Sequence, residues 1–119
     1  MASQADKLQA RTKLFALAVI RLFRALPGSE EARILGRQLL RSGTSVAANY
    51  RAARRARSRA EFIAKIGIVV EEADESVFWL ELLAEAGIQD RPSLDALIQE
   101  SSELLAICVA TQRTARLRR

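Results

Sequence analysis

The sequence predicts an all-α fold, an antiparallel up-down-up-down four-helix bundle. Three observations carry that prediction. The helix formers Ala, Leu, Arg and Glu dominate the 119 residues, against only two prolines and five glycines. Apolar residues recur at alternating spacings of three and four along each long segment. Turn and capping residues then divide the chain into four such segments joined by short connections, which implies antiparallel neighbours.

The first helix is expected over residues 4–26. Leu8, Phe15, Ala18, Leu22 and Leu26 form one apolar stripe, with Leu14 and Val19 beside it. Pro27 and Gly28 end this helix, and Ser29 is a good N-cap for the next. The second helix is expected over residues 30–56, with Glu30 and Glu31 suiting its positive N-terminus. At about 100° per residue, Leu35, Leu39, Ser42, Val46, Asn49 and Ala53 share one face. Arg37, Arg41, Arg51 and Arg55 lie on the opposite face. Gly43 falls mid-helix, where it either admits a neighbouring helix closely or opens a local break near residues 42–44.

Ser58-Arg59-Ala60-Glu61 reads as a capping box, in which Ser58 and Glu61 each bond the other's backbone amide. It opens a third helix, expected over residues 59–86. Phe62, Ile66, Val69, Ala73, Ser76, Leu80 and Leu83 form its seam, widened by Ile63, Val70 and Val77. Gly87 suits the position just past its end. The fourth helix is expected over residues 93–113, starting near Pro92 or Ser93. Its inward residues are Leu94, Leu97, Ile98, Ser101, Leu104, Leu105 and Cys108, and residues 114–119 are expected to fray as a basic tail. Residues 1–119 are expected to form a single domain without linker or repeat.

The net charge of +5 hides two opposed blocks. From Arg37 to Arg59 there are seven arginines and no carboxylate: Arg37, Arg41, Arg51, Arg54, Arg55, Arg57 and Arg59. From Glu61 to Asp90 there are eight carboxylates and one lysine, Lys65. Sixteen Arg against three Lys also fits a GC-rich genome, so the clustering weighs more than the total. A lone Cys108, the lack of a signal-peptide pattern in residues 1–13 and the lack of an apolar run near the ~20 residues of a membrane span point to the cytoplasm, with no membrane partner.

The run Gln38-Leu39-Leu40-Arg41-Ser42-Gly43-Thr44-Ser45-Val46-Ala47-Ala48-Asn49-Tyr50 resembles the QLxRSxxSxxxN signature of the bacterial four helix bundle protein family, also called the 23S rRNA intervening-sequence protein family. Glu61-Phe62-Ile63, and Glu72 followed by Trp79-Leu80-Glu81-Leu82-Leu83, match two further segments of that family. The resemblance spans nearly the whole chain. It implies a small all-α bundle assembling into a ring, with a pentamer the expected form. The family is also similar to the accessory variability protein of diversity-generating retroelements, which binds nucleic acid and a reverse transcriptase. After Asn49 this chain departs from the usual acidic-glycine pair: Tyr50-Arg51-Ala52-Ala53-Arg54-Arg55 makes the junction more basic.

Gln38, Ser42, Ser45 and Asn49 lie on or beside the buried face of the second helix. They read as a hydrogen-bond network that sets register, with Glu72 or Ser76 as partner, against the alternative of a polar pocket. Ile68, Phe78, Trp79 and Leu82 point away from the seam of the third helix and read as a subunit interface, against packing under the N-terminal segment or the tail. There is no His, so the commonest general base and metal ligand is missing, and Cys108 has no His to activate it. No phosphate-binding Gly-rich loop and no nucleophile elbow is present. No catalytic residue, metal or cofactor is expected.

Two readings compete for the arginines. One is a phosphate-binding face, repeated around a ring, with only Tyr50 nearby for stacking and therefore little base specificity. The other is pairing with Glu71, Asp74 and Glu75 of a neighbouring helix or subunit. The first makes the protein a non-enzymatic, oligomeric bundle that binds RNA or DNA through the second helix. The alternative makes it a protein-interaction module, for example an accessory subunit of a reverse transcriptase or other nucleic-acid enzyme.

Overall fold

Every helix of the computed structural model, which describes residues 1–118, starts at a side-chain cap. Ser3 and Asp6 close a full capping box on α1 (Gln4–Ala25), with Ser3 Oγ accepting from the Asp6 amide at 3.0 Å and the Asp6 carboxylate accepting from the Ser3 amide at 3.1 Å. Ser29 accepts from the Ala32 amide to open α2 (Glu30–Arg54). Ser58 accepts from the Glu61 amide to open α3 (Arg59–Glu85). Asp90 does the same for Ser93 at the start of α4 (Arg91–Leu117), so this helix begins just before Pro92. The expected return bond from Glu61 to the Ser58 amide is not made among the described residues, and Glu61 lines a basic cleft instead. Gly87 adopts φ 71° after α3, and the Ile88 and Gln89 amides there donate to the Leu83 carbonyl.

The four helices pack in chain order into the expected antiparallel bundle. The α2–α3 contact is the most extensive and the α1–α4 contact the least. Leu39, Val46, Ile66, Val69, Leu80, Leu83, Leu94 and Leu104 are wholly buried in one core, together with Phe15 and Val19. Each such side chain contributes about 1.5–3 kcal/mol on burial. No helix is long and apolar enough among the described residues to cross a membrane.

α2 is continuous through Gly43, so the close-approach reading holds and the break does not occur. A Cβ there would lie 2.9 Å from Val19 Cγ2 and 3.3 Å from Val19 Cβ. That approach turns α1 so that Thr12, Ala16 and Val19 face inward with Phe15 and Leu22, whereas Leu14 is 65% exposed. Thr12 satisfies its buried hydroxyl on the Gln9 carbonyl at 2.8 Å.

α1 and α4 are tied at one level. Arg11 donates from Nε and Nη2 to Glu100 at 2.7 Å each, and from Nη2 to Glu103 at 2.6 Å. Beyond this tie α4 continues further than α1 does. Residues 114–117, expected to fray, are helical, because the end of α4 lies along the start of α3. Gln112 donates to the Ile63 carbonyl, and the Arg59 guanidinium caps the Arg118 carbonyl. Arg119 lies outside the described residues.

Candidate nucleic-acid interface

The C-terminal turn of α2 and the first turns of α3 meet at residues 55–58, and the cations of that joint converge. Arg51, Arg55, Arg57 and Lys65 line one cleft of about 480 Å³ with Ala48, Ala52 and a single carboxylate, Glu61. The three arginines are exposed. None of the four cations has a carboxylate within ion-pair distance among the described residues. Arg51 also borders a second, smaller cleft of about 230 Å³ between α1 and α2, where Lys13 joins it. Cations held this close without internal partners attract a polyanion.

The other expected arginines do not share this state. Arg41 bonds Glu72 at 2.8 Å and also pairs with Glu75, joining α2 to α3 within the chain. Glu75 further accepts from the Trp79 indole at 3.0 Å. The Arg41 guanidinium, then that indole, hold the Glu75 carboxyl below the usual carboxylate range. Arg54 bonds Asp6 and Gln9 of α1, both at 2.8 Å. The Ser3 amide, then Arg54, lower the Asp6 carboxyl. Arg59 is engaged with the end of α4. Arg37 has no carboxylate partner among the described residues, but it stands fourteen residues from Arg51, about 21 Å along the helix.

Tyr50 is not a stacking platform at this surface: it is 3% exposed, and burial pushes its phenol pKa up. Lys13 and Lys65 were the residues that sequence reasoning passed over. Each stands outside the arginine-rich run of α2, and only the packing of α1 and α3 against α2 brings them to Arg51.

The polar residues of α2 divide. Ser42 and Ser76 are fully buried with their hydroxyl oxygens 3.0 Å apart, across the α2–α3 contact. Ser42 donates to the Leu39 carbonyl, and the Glu72 carbonyl lies 2.8 Å from Ser76 Oγ. Asn49 donates to the carbonyl and hydroxyl of Ser45 on its own helix. Gln38 faces solvent, one position off the buried stripe, and Glu72 uses its carboxylate on Arg41.

On the outer face of α3, Phe78 is 51% and Ile68 38% exposed. Leu82 is half-buried, and Trp79 packs partly on the core with the Phe78 ring edge-on at 5.0 Å. Glu71, Asp74, Glu81 and Glu85 are exposed on the same helix and make no ion pair among the described residues. Cys108 is buried, which pushes its thiol pKa up to about 11, so it is a core residue and a poor nucleophile.

Among curated proteins none matches the chain. A crystal structure from Bacteroides thetaiotaomicron, of a protein with unknown function from the S23 ribosomal protein family, is similar to it at 31% identity and a TM-score of 0.86, covering 93% of this chain and 99% of that one. The family model for the 23S rRNA-intervening sequence protein matches residues 7–110, which takes in all of α2 and α3 and the basic joint between them. The chain therefore belongs to the 23S rRNA-intervening sequence protein family.

Proposed function

We propose that this chain is a non-enzymatic, oligomeric helical bundle that binds nucleic acid, RNA foremost, through the basic end of α2. The observation that carries the reading is the convergence of Arg51, Arg55, Arg57 and Lys65 on one cleft, none of them neutralised by a carboxylate among the described residues. The similar crystal structure is described as one of a ribosomal protein family, which supports RNA as the polyanion. A chain without histidine whose sole cysteine is a buried, high-pKa thiol supports a binding role over catalysis. Contacts here are to phosphate and not to stacked bases, since no aromatic side chain lines the cleft and Tyr50 is buried. A lone cysteine suits the reducing cytoplasm in which we place this role.

Subunits associate through Ile68, Phe78, Trp79 and Leu82 of α3 in a ring, five being the expected number, and the ring repeats the cleft so that weak phosphate contacts add by avidity. The competing reading, a module that mates with a protein such as a polymerase, draws on the same exposed apolar residues. A salt titration separates the two. RNA retention by the intact protein should fall steeply with ionic strength, and Arg51→Glu with Arg55→Glu should abolish it while circular dichroism and particle size stay unchanged. The single variant Arg55→Gln, which removes one phosphate contact, should lower the slope of log K against log salt by about 0.7–0.9. Unchanged affinity in that double variant refutes the assignment.

A further inference from the structure

On the side of the Arg11 tie where α1 begins and α4 ends, the seam between those two helices opens into a groove. α1 runs about seven residues from Arg11 back to Gln4, and α4 runs about fourteen from Glu103 to Leu117, so α4 overhangs by about 10 Å. Two clefts open there, of about 560 and 610 Å³, meeting at Phe62, Ile107 and Thr111. The floor is apolar, formed by Phe62, Ile107 and Ala110, and Lys7, Arg59 and Arg118 stand on the rim. No Asp or Glu lines either cleft. The groove between the two helices is thus apolar below and positive at the edge.

The outer face of α3 has the opposite character. Phe78 and Ile68 project among Glu71, Asp74 and Glu85, whose carboxylates are unpaired among the described residues. The lengths agree: Ile68 to Phe78 covers about 15 Å of helix, and the α4 side of the clefts, Ile107 to Arg118, about 16 Å. We infer that the groove between α1 and α4 receives the outer face of α3 from a second copy of this chain. The inference rests on the oligomeric half of the reading above and names the surface that its α3 residues meet. The cleft at Arg51 is a poorer fit for α3, because it offers cations without an apolar floor for Phe78. Groove and outer face are different surfaces, so the contact runs head to tail and generates a ring when the rotation closes.

Two exposed substitutions test it in the full chain. Phe78→Glu spoils the outer face and leaves the groove intact. Ala110→Asp spoils the groove floor and leaves the outer face intact. By light-scattering chromatography each variant alone should be monomeric, with a helical circular dichroism spectrum like that of the parent and a cooperative thermal transition. Mixed in equal amounts, they should form a particle of two chains, because one undamaged contact becomes available. A parent assembly that survives Ala110→Asp overturns the groove while leaving the ring reading standing. A parent that is monomeric at tens of micromolar overturns both.

Discussion

Gly43→Ala measures how tightly α1 is drawn onto α2. The added Cβ would lie 2.9 Å from Val19 Cγ2, 3.1 Å from Cγ1 and 3.3 Å from Cβ. Val19 cannot turn aside: the helix fixes its Cβ, and a helical valine has one strongly preferred rotamer. Relief requires α1 to shift as a body, and overpacking of this kind costs about 1–3 kcal/mol. Replacing a mid-helix glycine by alanine returns about 1 kcal/mol. The expected net is about 1 kcal/mol of destabilisation, read as a Tm lower by about 4 °C. Gly67→Ala supplies the contrast. Its Cβ meets only Gln112 Nε2, at 3.0 Å, the far end of a flexible side chain held by one 3.3 Å hydrogen bond. There the helix-propensity gain wins and Tm rises. Thermal unfolding followed by circular dichroism checks both, and Val19→Ala should be less costly in the Gly43→Ala background than alone, by about 1 kcal/mol of coupling. If Gly43→Ala raised Tm as Gly67→Ala does, the close-approach argument would be wrong.

Two more expectations follow from the titrating groups. The folded Glu75 carboxyl sits below its ordinary value of 4.5, so the stability it confers is full at neutral pH and is lost as pH falls through the carboxylate range. In urea unfolding, the gap between the parent and Arg41→Gln should therefore narrow between about pH 5 and about pH 3, and a gap that stayed constant would break the link. Cys108, with its pKa moved from 9.0 to about 11, should alkylate at least a hundredfold more slowly in the native chain at pH 8 than in urea, as read by mass spectrometry; native labelling at the free-thiol rate would contradict its burial.

Much of this architecture could be read from the chain because the signals are local. Ser29, Ser58 and Gly87 each act within one turn of where they stand, and the spacing of Ile66, Val69, Ala73, Ser76, Leu80 and Leu83 depends on α3 alone. What escaped reading depends on neighbours. Leu14 looked as buried as Val19 until the gap over Gly43 set the rotation of α1. Residues 114–117 looked like a tail because the α3 surface they lie against is some fifty residues away in sequence. The seven arginines look alike in a row, yet Arg41 and Arg54 are held by carboxylates of α3 and α1, and only three of the seven gather at the joint. Charge patterning finds a basic segment, and tertiary contacts decide which of its members remain available to a ligand.

The bond between the Trp79 indole and Glu75 also makes the protein its own spectrometer. Trp79 is the sole tryptophan, and its N–H donates to a carboxylate that Arg41 grips from the neighbouring helix. Its near-ultraviolet emission therefore reports on a single spot, where α2, α3 and the exposed Phe78 come together. Acidification, separation of the two helices and coverage of Phe78 by another surface each change the surroundings of that one ring, so every one of these events registers as light without a label.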